Sequence, residues 1–255
     1  MLLVIDIGNT ETTLGVFEGE NLKATWHIAT VINRTADELA PLLVNLLGNK
    51  GLQSSDIKEV SFCSVVPPLI TIFEEVFRHY FKISPMVVAA GVKTGVRICM
   101  DNPREVGADR IVNAAAAHHL YSGPVIIVDM GTATTFDIVS EKGDYMGGAI
   151  APGLVTATEA MFRKAAMLPR VELMRPEHAI GTNTIDAMKS GIVFGYVGLV
   201  EGMVARIQRE LGIKTKVIAT GGHARLIAGE TKVIDEVSPD LTLIGLKLIY
   251  RMNKS

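Results

Sequence analysis

"VIIVDMGTATTFDIV", residues 125–139, repeats a plan already laid down at the start of the chain in "MLLVIDIGNTETTLGVF", residues 1–17. Each is an apolar run that ends in aspartate, turns through a glycine into a hydroxyl-rich loop, and resumes as an apolar run. In each copy the apolar runs on the two sides read as strands flanking a tight turn. A chain of 255 residues divides into two halves of roughly 120 residues, each long enough to bury its own core. Two copies of one α/β plan, one in each half, is therefore the economical architecture.

The order of elements supports that division. After the first hairpin, "LKATWHIAT" (22–30) reads as a third strand, and "TADELAPLLVNLLGN" (35–49) as a helix with the capping-box pair Thr35 and Glu38. "KEVSFCSVV" (58–66) is then a strand, "PPLITIFEEVFRHYF" (67–81) a helix opened by proline, and "PMVVAA" (85–90) a strand. A helix over 104–121 joins the halves, giving domains at 1–117 and 118–255. The second half reads as strands in "GPVIIVDMG", "TTFDIVS" and "DYMGGAIAPG", then a helix over "LVTATEAMFRKAA" (154–166). A long helix runs from 183 to 211, "TKVIATGG" (215–222) is a strand, and a last helix is capped by Ser238 with Pro239 at its first position. The long helix carries Gly191, Gly195, Gly198 and Gly202 on an apolar background. Each glycine costs up to about 1 kcal/mol against alanine, which predicts tight packing, either inside the chain or against a second copy.

Composition narrows the partners. With 48% hydrophobic residues, 5% aromatic residues and a formal charge of −2, the chain has an ordinary globular balance and no electrostatic pull towards nucleic acid or an anionic membrane. The two cysteines, Cys63 and Cys99, sit in apolar stretches and read as buried, reduced fillers. The N-terminus lacks a signal-like segment, and the apolar stretch Ile192–Val200 is too short to span a bilayer. A cytoplasmic protein without a membrane anchor is expected.

In "DIGNTETT" a strand ends in Asp6, turns through Gly8 and Asn9, and offers the hydroxyls of Thr10, Thr12 and Thr13. Such a turn can hold phosphate oxygens while Asp6 holds Mg²⁺ directly or through water. Taken alone it also fits a plain hairpin. The second copy, from Asp129 to Thr135, changes that balance, because two such turns can clamp one nucleotide.

The pair of turns resembles the actin, sugar-kinase and chaperone ATPase superfamily, and the whole chain resembles type III pantothenate kinases. The residues that carry the closer resemblance are "DIGNT" (6–10), "DNPREVGADRIVNA" (101–114), "DMGTATTFDIV" (129–139), "GGAIAPG" (147–153), "LPRVEL" (168–173), "IGTNTIDAMKSGIVFGYVGLVEG" (180–202) and "ATGGHA" (219–224). The resemblance implies two ribonuclease H-like domains with a nucleotide bound in the cleft between them. It further implies ATP-dependent phosphorylation of pantothenate to 4'-phosphopantothenate, the first step of coenzyme A biosynthesis, by a homodimer.

Carried onto this sequence, the resemblance makes Asp109 in "GADR" the general base, with Gly107, Ala108 and Arg110 in its substrate loop. A carboxylate suits that task, since phosphoryl transfer asks mainly for an oriented hydroxyl and late removal of its proton. Asp129 matches a monovalent cation site for K⁺ or NH₄⁺, Thr132 an ATP-binding position, and Thr184 a pantothenate-binding one. Gly221 and Gly222 are expected to let the chain pass close to the nucleoside. Met100 stands where the family often has tyrosine, and is carried as a pocket residue. Two rivals remain: a non-catalytic regulator of the Bvg accessory factor group, and a kinase of the same superfamily acting on another small alcohol.

Overall fold

The computed structural model describes residues 1–165 and 168–254, in two compact units. The first unit holds Met1–Val96, Asp101–Ala116 and the C-terminal helix; the second holds Arg97–Met100 and Ala117–Asp240. The chain therefore crosses between units more than once, and division into two contiguous halves does not describe it.

In the first unit, strands β1 (Leu2–Ile7), β2 (Glu11–Glu18), β3 (Asn21–Ala29), β4 (Glu59–Ser64) and β5 (Met86–Val87) form one sheet in the order β3-β2-β1-β4-β5. The β1–β2 and β2–β3 pairs are antiparallel, whereas β1–β4 and β4–β5 are parallel. In the second unit, β6 (Val125–Met130), β7 (Ala133–Val139), β8 (Tyr145–Pro152), β9 (Lys216–Thr220) and β10 (Glu236–Val237) are ordered β10-β9-β6-β7-β8 with the same senses. Each strand of the first sheet thus has its counterpart five numbers on, and the duplicated turn is one sign of a duplicated sheet.

Strand period places the helices. In β1, Leu3, Ile5 and Ile7 face α1 (Ala36–Gly48) and α2 (Pro67–Val76), while Leu2 and Val4 face α3 (Ala108–Leu120) and α7 (Leu241–Lys254). α1 begins at the expected capping box, with the Glu38 N–H on Thr35 Oγ1 at 3.3 Å and the Thr35 N–H on Glu38 Oε2 at 2.9 Å. It buries Leu39, Ala40, Leu43 and Leu47 despite Pro41 within the helix. The turn after α2, Phe77–Phe81, is a π-helical turn that ends in Lys82 with φ of 58°. α7 begins at Leu241 rather than directly after Ser238, whose N–H is donated to the Ala219 carbonyl beside β9. α7 packs Leu243, Leu246 and Ile249 onto the first sheet, and its Lys247 is held by Glu20 at 2.7 Å.

In the second unit, α4 (Leu154–Lys164), α5 (Thr184–Leu211) and α6 (Ala224–Ala228) supply the helices. The helix expected as far as Ala166 extends outside the described residues. α5 buries Val193, Tyr196, Val197, Val200 and Val204 against Ile126, Val128, Phe136 and Val217. By length and composition α5 is long and apolar enough to cross a membrane, so the shorter stretch Ile192–Val200 understated it. Three of its four named glycines do not pack inside the chain, while Gly202 lies against Arg206. A Cβ built on Gly191, Gly195 or Gly198 meets nothing within 4 Å, and all three positions are exposed.

Cys63 is buried as expected, but Cys99 is exposed. The segment around Cys99 joins the second unit by a single bridge, Ile98 to Tyr145, so its alternate residues face outward.

Candidate active site

In the first unit, the parallel and antiparallel registers place Asp6 opposite Cys63 on β4 and opposite Thr13 on β2, and Thr13 opposite His27 on β3. Directly opposed residues share a face, so one polar row, Cys63–Asp6–Thr13–His27, crosses four strands near the β1–β2 turn. The Cys63 thiol donates to Asp6 Oδ1 at 3.2 Å. Glu11, two residues before Thr13, accepts from His27 Nδ1 at 3.0 Å, and Thr13 Oγ1 lies 3.3 Å from the same nitrogen.

Asp109 enters from the first turn of α3, where the helix N-terminus favours a carboxylate. Gly107 lies immediately before α3, and a side chain there would collide with the Asp109 carboxylate. The Arg110 N–H donates to Asp109 Oδ1 at 2.8 Å. Burial raises the Asp6 pKa first, the nearby Asp109 charge raises it further, and together with Glu11 they outweigh the Cys63 hydrogen bond and lift it to about 7. A carboxyl group kept where burial and a neighbouring charge both oppose its ionisation is a candidate functional group.

The turn itself is braced from β3. Thr30 Oγ1 donates to the Gly8 carbonyl at 2.8 Å and lies 2.8 Å from Thr12 Oγ1, while the Thr30 N–H donates to the Thr10 carbonyl at 2.9 Å. Thr12 is buried by this pairing, which corrects its expected place among the outward hydroxyls; Asn9 and Thr10 are exposed at the tip. Gly8 is required for close approach, since a Cβ there would lie 2.8 Å from the Glu11 carbonyl oxygen. Thr30, Cys63, Glu11 and His27 were not singled out from sequence; only the cross-strand register reveals them.

The second unit builds its own version. Asp129, one residue before the end of β6, lies opposite Thr135 and Thr220. Thr132 is exposed at the turn, and its carbonyl accepts from the Gly153 N–H at 3.2 Å and from Thr156 Oγ1 at 2.7 Å. Gly221, at φ of 90°, sits against the Met130 backbone, where a Cβ would come within 2.6 Å of its carbonyl oxygen, so this glycine serves the joint between β6 and β9. Gly222 is open and exposed. The Tyr196 phenol on α5 is pushed up to about 12 by burial, with the Asp129 charge adding to it.

Thr184 is exposed at the first position of α5, whose N-cap Asn183 accepts from the Asp186 N–H at 2.9 Å. Met100 belongs to the second unit, with its sulfur over Gly147, whereas Gly107, Ala108, Asp109 and Arg110 belong to the first.

The donor sets suit different ions. Asp6 keeps one carboxylate oxygen outside the Cys63 hydrogen bond, and with the Asp109 charge near it offers carboxylate oxygen of the kind Mg²⁺ prefers, while among the described residues no group of three or more His, Cys, Asp or Glu side chains gathers into a metal site. Asp129, a single carboxylate with the hydroxyl residues Thr135 and Thr220 opposite it in register, fits a more weakly held monovalent cation.

A duplicated sheet of this order, with an aspartate one residue before the end of the first strand of each copy, is the actin-like ATPase and sugar-kinase fold. A Campylobacter jejuni protein assigned to the Baf family of transcriptional activators matches with a TM-score of 0.62 at 18% identity, over 99% of this chain and 98% of its own. The activator of 2-hydroxyisocaproyl-CoA dehydratase from Clostridium difficile, solved with bound ADPNP, matches with a TM-score of 0.53 at 12% identity, over 99% and 97%. At such identities the likeness speaks for the fold alone. In sequence, the model of the type III pantothenate kinase family matches residues 2–206. A type III pantothenate kinase from Dehalococcoides mccartyi is 59% identical over 253 residues, covering 99% of this chain and 96% of its own length. The chain belongs to the type III pantothenate kinase family.

Proposed function

We propose that the chain transfers the γ-phosphoryl group of ATP to the primary hydroxyl of pantothenate, giving 4'-phosphopantothenate and ADP. The observation that carries this reading is membership of the family at 59% identity over nearly the whole chain, and the nearness of the Asp109 charge to Asp6 supports it. The regulator reading has only a likeness at 18% identity behind it.

Asp109 accepts the hydroxyl proton as the substrate oxygen bonds to the γ-phosphorus and the bond to the bridging oxygen of ADP breaks. Asp6 holds the divalent ion, Mg²⁺ in this reading, which neutralises charge on the transferring group when bound. Asn9 and Thr10 present the turn's backbone and side-chain donors to phosphate, Gly8 closes the turn with its N–H on the Glu11 carbonyl at 3.0 Å, Thr13 backs Asp6, and Thr12 supports the turn through Thr30. Asp129 holds K⁺ or NH₄⁺, Thr132 and Gly222 serve the nucleotide, and Gly221 shapes that loop. Arg110, Gly107, Ala108, Thr184 and Met100 are assigned to pantothenate.

An ADP-release assay with Mg²⁺, run with pantothenate and a panel of sugars, should show turnover with pantothenate alone. Turnover with a sugar would move the assignment to another kinase of the fold. With Na⁺ replacing K⁺ the pantothenate rate should fall, and an equal rate would remove the Asp129 assignment.

The exposed glycine face of α5 supports a homodimer. Gly191, Gly195 and Gly198 leave a flat helix surface that a second copy could approach closely. Sedimentation equilibrium should give twice the chain mass, and Gly195→Leu should give a single chain; a monomer before substitution would contradict this. The reading includes no nucleic-acid or membrane partner and a cytoplasmic location.

A further inference from the structure

The row that holds Asp6 continues past it to a basic side chain. His27 stands two strands from Asp6, about 10 Å by ordinary strand spacing, on the same face and at the same end of the sheet as the Gly8–Thr10 turn. Its ring is fixed through one nitrogen, since Nδ1 meets both Glu11 Oε1 and Thr13 Oγ1. The side chain remains 57% exposed, so the far nitrogen, Nε2, faces solvent beyond the turn.

The second unit supplies an internal comparison. There the equivalent row runs Thr220, Asp129, Thr135 and Ile150, and Ile150 is 66% exposed. Both rows keep the aspartate and a threonine beside it, but only the first ends in a group that can donate to an anion. A histidine held at Nδ1 by a carboxylate is a directed donor or acceptor at Nε2, because the carboxylate fixes the ring's orientation.

We infer that His27, oriented by Glu11, contacts the polyphosphate chain of the nucleotide through Nε2 and so extends the phosphate turn by one side chain. The inference rests on the kinase reading of this same site. With the Nδ1 hydrogen given to Glu11, a ring that also carries a hydrogen on Nε2 directs one N–H outward, which suits a single phosphate oxygen. Glu11 acts through His27 and is a positioning residue.

The test compares binding of a non-hydrolysable ATP analogue, with Mg²⁺, and of AMP by calorimetry in the unsubstituted chain, His27→Ala and His27→Arg. Loss of one charge-assisted hydrogen bond at a half-exposed position should weaken the triphosphate about 5- to 20-fold in His27→Ala. AMP binding should be unchanged, and His27→Arg should restore the triphosphate. In steady state His27→Ala should raise KM for ATP while keeping kcat and the KM for pantothenate. Unchanged triphosphate binding in His27→Ala would overturn the inference, as would equal weakening of both nucleotides, which marks a structural role. The kinase reading is judged separately, by pantothenate-dependent ADP release from the unsubstituted chain. Its failure would leave the nucleotide comparison to decide for or against His27.

Discussion

Asp109→Asn will lower kcat by about 10²- to 10⁴-fold, the usual worth of a general base, while the fold and nucleotide affinity persist. The expectation follows from where Asp109 sits. It occupies the first turn of α3 and accepts from the Arg110 N–H. Asparagine keeps the shape and the hydrogen-bond acceptor but cannot take a proton. Single-turnover kinetics would separate this from slower product release. A variant with near-normal turnover would show that another group receives the proton.

Asp6→Asn will have two opposite effects. Turnover should fall by about 10²-fold or more, since a carboxamide is a poor ligand for a divalent ion that neutralises the transferring phosphate. Yet the ligand-free variant should be more stable than the unsubstituted chain at pH 8. The Asp6 pKa is raised from 3.8 to about 7, so the folded state binds this proton more tightly than the unfolded chain does. Stability therefore falls as pH rises from about 4 to about 7 and levels off above that window. After allowance for the solvent that reaches a half-buried group, the cost above pH 7 is about 1–3 kcal/mol. Asparagine carries no such cost, so chemical denaturation should show the stabilisation at pH 8 and little of it at pH 4. Equal stability at both pH values would mean that Asp6 is not strained by burial and by Asp109.

Much of this was legible in the sequence because the duplicated turn is local. "DIGNT" and "DMGTATT" announce strand, carboxylate and turn in a few residues, and the observed sheets repeat the same order around them. The capping box at Thr35 and Glu38 was equally local. What stayed hidden depends on which surface a segment joins. The spacing of Leu243, Leu246 and Ile249 predicts an apolar helix face but not that it covers the first sheet, where Gly15 on β2 receives Leu243. Likewise nothing in "ETT" distinguishes Thr12, buried on Thr30, from Thr13, which faces the Asp6 row. That distinction is set by strand register, and so are the contacts of Cys63, Glu11 and His27. The glycines of α5 left two readings open, packing inside the chain or against a second copy, and the sequence does not choose between them; in the structure the face at Gly191, Gly195 and Gly198 meets nothing within this chain.

The central claim is that this chain phosphorylates pantothenate with Asp109 as the base. Mass spectrometry of a reaction containing ATP, Mg²⁺, K⁺ and pantothenate tests it most directly. The account predicts 4'-phosphopantothenate accumulating with ADP in equal amounts, and very little of either with Asp109→Asn. ADP formed without phosphorylated pantothenate, or no reaction by the unsubstituted chain, would contradict it.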